Sequence, residues 1–117
     1  MVERYSFVAV TTTDLARART FWVDQMGFSV TEEAAGHHFI VDAGGLRLCV
    51  DLADGGVHRA GGGDPVIGFK VARLAPALEA LVRRGVRPEK GPVTGARGSF
   101  AELRDPDGRV VILTETD

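Results

Sequence analysis

The side chains able to do acid–base, nucleophilic or metal chemistry are few and scattered along this chain. Its 117 residues include three histidines, His37, His38 and His58, and a single cysteine, Cys49. His37 and His38 are neighbours, so on a strand they point to opposite faces and do not readily share one ion. His37 and Asp51 are read as meeting across a hairpin, either as a polar handle for a ligand or as an ordinary surface pair. His58, in a glycine-rich stretch, reads as solvated. One cysteine excludes an internal disulfide and a cysteine-based zinc cluster. Cys49 lies in a strand pattern with no evident base beside it, which suits a small buried hydrophobe better than a nucleophile. Glu102 lies in an alternating apolar segment. Desolvated there, it would suit general acid or base work; paired with Arg104 or Lys70, it would be structural. Trp22 would either stack on a ligand or pack in the core.

Bulk properties narrow the function classes. Hydrophobic residues make up 44% and charged residues 26%, with a net charge of −2, values ordinary for one globular domain. No basic run is present to neutralise phosphates, so nucleic-acid binding is not expected. No apolar stretch approaches the ~20 residues of a membrane span. The first residues lack the apolar region of a signal peptide, so a cytoplasmic protein is expected.

The elements that must position these residues repeat once. Phe7–Leu15 and Val66–Leu74 are each a short alternating strand running into a helix, and Leu15 matches Leu74 at an offset of 59, about half the chain. Asp14 suits the N-cap of the first helix, with Leu15, Ala18, Phe21, Trp22 and Met26 on its apolar face and Gly27 ending it. The second helix is expected from about Leu74 to Arg84, with Pro76 in its first turn and Gly85 after it. Two hairpins follow from turn chemistry. Asp105-Pro106-Asp107-Gly108 reads as a bulged turn that pairs Arg104 with Val110, Leu103 with Val111 and Glu102 with Ile112. Asp42-Ala43-Gly44-Gly45 is given the same part, pairing Val41 with Arg47, Ile40 with Leu48 and Phe39 with Cys49. Residues 54–65 read as a glycine-rich linker between module one (1–53) and module two (66–117). The turn-rich stretch from Pro88 to Gly98 reads as a loop or a lid.

Three signatures together carry a family resemblance. Phe7 to Trp22 resembles a first strand and helix with an aspartate before the helix and an aromatic pair at its end. Phe21-Trp22 with Met26-Gly27-Phe28 is similar to an aromatic pair before a leucine-glycine-phenylalanine turn. Leu103-Arg104-Asp105-Pro106-Asp107-Gly108 resembles a closing hairpin. Together they look like the vicinal oxygen chelate superfamily (glyoxalase, bleomycin resistance, extradiol dioxygenase), nearest its bleomycin-resistance branch. The resemblance implies an α+β fold: two βαβββ modules in one domain, each a curved mixed sheet with a helix on its convex face.

Metal enzymes of that superfamily use four repeat-related strand positions. These correspond to Phe7, Cys49, Val66 and Ile112, which offer one donor atom among them, so no metal site and no cofactor are expected. The same frame gives a cup lined by Tyr5, Phe7, His37, Phe39, Cys49, Asp51, Val66, Phe100, Glu102 and Ile112, an apolar and aromatic floor with a few polar groups. Apart from Tyr5, these are the expected ligand-binding residues, with Asp51 and Glu102 meeting cationic groups; no catalytic residue is assigned. The resemblance implies a small-molecule binder for an antibiotic or related natural product, paired as a homodimer, with or without strand exchange. Two alternatives stand: a metal-independent lyase or isomerase (or a dioxygenase) of the same superfamily, and an interaction module whose cup is filled by its dimer partner.

Overall fold

The computed structural model describes residues 1, 3, 6–53, 66–95 and 98–115. The chain divides into two compact units, Met1–Gly62 and Gly63–Asp117. Each holds one four-stranded mixed sheet and a helix, in the order βαβββ. The expected linker 54–65, with His58, and Tyr5 lie outside the described residues.

The first unit runs β1 (Val8–Thr12), α1 (Leu15–Arg19) continued by a π-helical turn (Thr20–Gln25), β2 (Ser29–Ala34), β3 (His38–Ala43) and β4 (Leu46–Leu52). Its strand order is β1-β4-β3-β2, with β1 parallel to β4. Asp14 caps α1 by accepting from the Arg17 N–H at 3.1 Å, as its type and position require. The π turn is closed by Met26 N–H on the Phe21 carbonyl at 2.8 Å. It sets Phe21 edge-on to Trp22 at 4.8 Å and brings Trp22 over Phe28 at 6.2 Å. Trp22 is fully buried, which settles it as packing. Gly27, at φ +83, takes the left-handed conformation that ends the helix.

The second unit repeats the plan with β5 (Ile67–Lys70), α2 (Leu74–Arg83), β6 (Lys90–Gly95), β7 (Gly98–Arg104) and β8 (Val110–Glu115), ordered β5-β8-β7-β6. Helix α2 buries Leu74, Leu78 and Leu81. Arg73 at its N-cap makes no side-chain cap bond; instead the Glu115 carboxylate, from the end of β8, accepts from the Leu74 N–H at 2.5 Å. The stretch expected as a loop or lid contains strand β6, antiparallel to β7. It carries Gly91 and Pro92 because it is an edge strand, where a missing N–H removes no ladder bond.

The second hairpin has the expected register: Arg104 faces Val110, Leu103 faces Val111 and Glu102 faces Ile112. The first is shifted by one. Val41 pairs with Leu48, Ile40 with Cys49 and Phe39 with Val50. The cause is the turn. Gly44 and Gly45 both have positive φ, +66 and +97, and close a two-residue loop directly between Ala43 and Leu46, where the longer bulged loop was expected. A one-residue shift exchanges the faces of a whole strand. Phe39, 2% exposed, therefore shares the helix-side face with Val41, Leu48 and Val50. His38 and Ile40 take the open face in place of His37 and Phe39. His37 sits exposed in the β2–β3 turn, its carbonyl accepting from the Leu52 N–H at 2.8 Å.

Candidate functional site

In each unit one sheet face is covered by its helix: α1 lies against β4, and α2 against β7 and β8. The other face carries no helix and is the open face, although Thr11, Ile40 and Cys49 on it are buried in the first unit; strand alternation decides what it carries.

On the first unit, the open face holds Ala9 and Thr11 from β1, Arg47, Cys49 and Asp51 from β4, and His38, Ile40 and Asp42 from β3. Phe7, just before β1, is 54% exposed. Thr11, Asp51 and His38 stand side by side across three strands. The Cys49 thiol donates to the Asp51 carboxylate at 3.3 Å, and His38 Nδ1 lies 4.0 Å from the same oxygen. The expected meeting of a histidine with Asp51 thus occurs, but through His38, because of the shifted register. Burial, and then the hydrogen bond to Asp51, push the Cys49 thiol up from 9.0 to about 12. A nucleophilic thiolate is therefore not what this arrangement prepares.

That shift sets a measurable expectation. At neutral pH the raised pKa leaves Cys49 with far less thiolate than an ordinary thiol, so its labelling by a soluble disulfide reagent should be markedly slower than that of the unfolded chain. The sign for stability follows. The folded thiol keeps its proton more tightly, so its contribution is full below pH 9 and is lost as pH rises toward 12. A Cys49→Ala variant should show a flatter alkaline stability profile in that window.

At the hairpin end of the same unit, a cleft of about 510 Å³ is lined by Thr31, Glu32, Val41, Asp42, Gly45 and Arg47. It lies where the β2 register shifts between Val30 and Glu32. Arg47 donates to Glu32 at 3.3 Å across it, and the Asp42 carboxylate accepts from the Gly45 N–H at 2.8 Å, tying the turn. None of the expected ligand residues lines this cleft.

On the second unit, the open face carries Gly68 and Lys70 from β5, Val110, Ile112 and Thr114 from β8, Phe100, Glu102 and Arg104 from β7, and Lys90 from β6. Val66, just before β5, is 59% exposed. Phe100, Glu102 and Ile112 are half-buried. The Lys90 ammonium lies over the Phe100 ring, 5.9 Å from its centroid. Among the described residues, neither the Glu102 carboxylate nor the Lys70 ammonium forms a hydrogen bond or ion pair, so the expected pairing of Glu102 with Arg104 or Lys70 does not occur. Arg104 instead donates to the Gly108 carbonyl at 2.9 Å.

The two open faces differ in sign. The first carries Glu32, Asp42 and Asp51 against Arg47; the second carries Lys70, Lys90 and Arg104 against Glu102. Cys49 and Ile112 are repeat equivalents, facing Ala9 and Gly68 respectively on the parallel neighbour. Among the described residues no group of three or more His, Cys, Asp or Glu side chains is placed to hold a metal ion. At the four positions that the resemblance assigns to a metal, Phe7, Val66 and Ile112 have no donor atom, and the thiol of Cys49 alone does not make a divalent-ion site.

No helix among the described residues is long and apolar enough to cross a membrane. A family model described as "Glyoxalase/Bleomycin resistance protein/Dioxygenase superfamily" matches residues 4–113. No curated protein matches the chain. Among solved structures, the chain is similar to TnmS3, an antibiotic binding protein from Streptomyces sp. CB03234 (22% identity, TM-score 0.79, covering 99% of this chain and 98% of that one). It is similar to TioX from Micromonospora sp. ML1 (20% identity, TM-score 0.79, 98% and 100% covered). It also resembles a glyoxalase family protein from Enterococcus faecalis (22% identity, TM-score 0.78, 97% and 98% covered). At these identities the likeness is one of fold.

Proposed function

This chain belongs to the glyoxalase/bleomycin resistance protein/dioxygenase superfamily, and we propose that it binds a small organic molecule, an antibiotic or a related natural product, without metal and without turnover. The observation that carries the proposal is the donor set. A divalent ion needs several lone-pair ligands in fixed geometry, and Phe7, Val66 and Ile112 supply none, leaving Cys49 alone. Each unit offers apolar surface of its own: Phe7 well exposed on the first, and on the second Val66 well exposed with Phe100 and Ile112 half-buried. Such surface gains from covering a flat hydrophobic ligand. On the first unit the proposed contacts are Phe7, Cys49 and Asp51, with His38 in place of His37; on the second they are Val66, Phe100, Glu102 and Ile112. Phe39 leaves the set because its side chain lies on the covered face. A homodimer in the cytoplasm is part of the proposal. That one structural neighbour is, by description, an antibiotic binding protein supports the ligand class.

The test is thermal unfolding of the purified protein against a panel of natural-product antibiotics that includes bleomycin, with and without divalent metals. A compound held at about 100 times its dissociation constant stabilises the fold by about 2.7 kcal/mol. A shift from a compound and none from metals is the expected result; a shift from a metal alone would overturn the metal-free reading. A second reading, a metal-independent acid–base enzyme, is favoured by one observation, the Glu102 carboxylate left without partner among the described residues. Conversion of a bound compound that Glu102→Gln abolishes would establish it.

A further inference from the structure

We propose that the open face of the second unit is a seat for a planar aromatic anion, with Phe100 as the stacking surface and Lys70 and Lys90 as the charges that hold it. This rests on the small-molecule reading above and names its ligand class. Lys70, Thr114, Phe100 and Val93 form one row across the sheet, and Gly68, Ile112, Glu102 and Lys90 the next. Phe100 and Ile112 thus lie diagonally adjacent, with an ammonium at opposite ends of the two rows. Gly68 leaves the floor bare: a Cβ there would meet only the Ile112 carbonyl oxygen, at 3.9 Å.

The charges decide the sign of the ligand. Three cations stand on this face against one carboxylate, and among the described residues the Lys70 ammonium forms no hydrogen bond or ion pair. Lys90 stands opposite Glu102 yet spends its charge on the Phe100 ring, a weak exposed cation–π contact that a bound anion readily exchanges for an ion pair. With Lys90 turned to the anion, the Phe100 face is free for an offset stack. Glu102 works against such a ligand, which fixes the sign of one test. The first unit's open face, with Glu32, Asp42 and Asp51 against Arg47, offers no comparable seat for an anion.

The test is titration of the full chain with naphthoate and its isosteres naphthamide and naphthylmethylamine, at ~50 mM and ~0.5 M salt. Naphthoate should bind several-fold tighter than either isostere at low salt, and the preference should shrink at high salt. Phe100→Leu should weaken naphthoate about fivefold, and Lys70→Met and Lys90→Met about threefold each. Glu102→Gln should strengthen it by a similar factor. The proposal is overturned if naphthylmethylamine binds tightest or if Glu102→Gln weakens naphthoate. It is also overturned if naphthoate affinity falls as the protein is concentrated through a monomer–dimer transition, which would mean that a second copy covers the face. Absence of naphthoate binding while an antibiotic still shifts the unfolding temperature would end this inference and leave the small-molecule reading standing.

Discussion

Arg109→Met is expected to destabilise the protein by about 3–5 kcal/mol, a fall in melting temperature on the order of 10–20 °C for a chain of this size. Asp105 and Arg109 are 4% and 6% exposed and form an ion pair inside the β7–β8 turn. The Asp105 carboxylate also accepts from the backbone N–H groups of Asp107 at 3.0 Å and Arg109 at 2.8 Å. Its own N–H donates to the Arg109 carbonyl at 3.0 Å. Removing the guanidinium leaves a buried charge without its counter-ion, which costs far more than the intact pair is worth. The double variant Asp105→Asn/Arg109→Met should therefore recover most of the loss, since the amide oxygen still serves the turn and no charge is left buried. Urea unfolding of the single and double variants measures both; a single variant within about 1 kcal/mol of the native protein would contradict the account. The hairpin's register also sets Phe100, Glu102 and Ile112, three of the proposed contacts, on one face of the sheet.

Phe39→Ala should cost about 3–5 kcal/mol, the usual range for a buried aromatic cut to alanine. The reason is the register of the first hairpin: Phe39 stands opposite Val50 and is 2% exposed. Under the alternative register it would face Cys49 on the open face, and its loss would weaken ligand binding while leaving stability nearly unchanged. Ile40 stands opposite Cys49 and is only 7% exposed, so Ile40→Ala should cost stability too. Affinity is what separates the two: Phe39→Ala should leave it unchanged, whereas Ile40→Ala should weaken it. Chemical denaturation of the two variants, followed by titration of each with any compound that shifts the native protein, decides between the registers.

Both errors and successes of sequence reasoning trace to particular turns. Asp105-Pro106-Asp107-Gly108 admits one good closure, so every pair of the second hairpin was legible. Asp42-Ala43-Gly44-Gly45 admits two, because two glycines in succession suit either a bulged loop or the tight turn with both φ positive that forms. The difference is one residue, and one residue exchanges His37 and Phe39 for His38 and Ile40. Strand β6 was hidden by Gly91 and Pro92, which are turn signals everywhere except in an edge strand. The burial of Arg109 was illegible because a buried arginine depends on a partner, and the pattern alone does not say that Asp105 is also buried. The Glu115 cap on α2 was illegible for a related reason: Arg73 offers no cap, and the acceptor arrives from the far end of the unit. The helices and the apolar faces of β1, β5, β7 and β8 were legible because caps and alternation are local signals.

The measurement that tests the central claim most directly is a calorimetric titration of chelator-treated protein with a compound that stabilises it, followed by mass spectrometry of the recovered compound. The account predicts saturable binding unchanged by the chelator and quantitative return of the compound intact. Binding abolished by the chelator and restored by a divalent ion, or recovery of a transformed product, would contradict it.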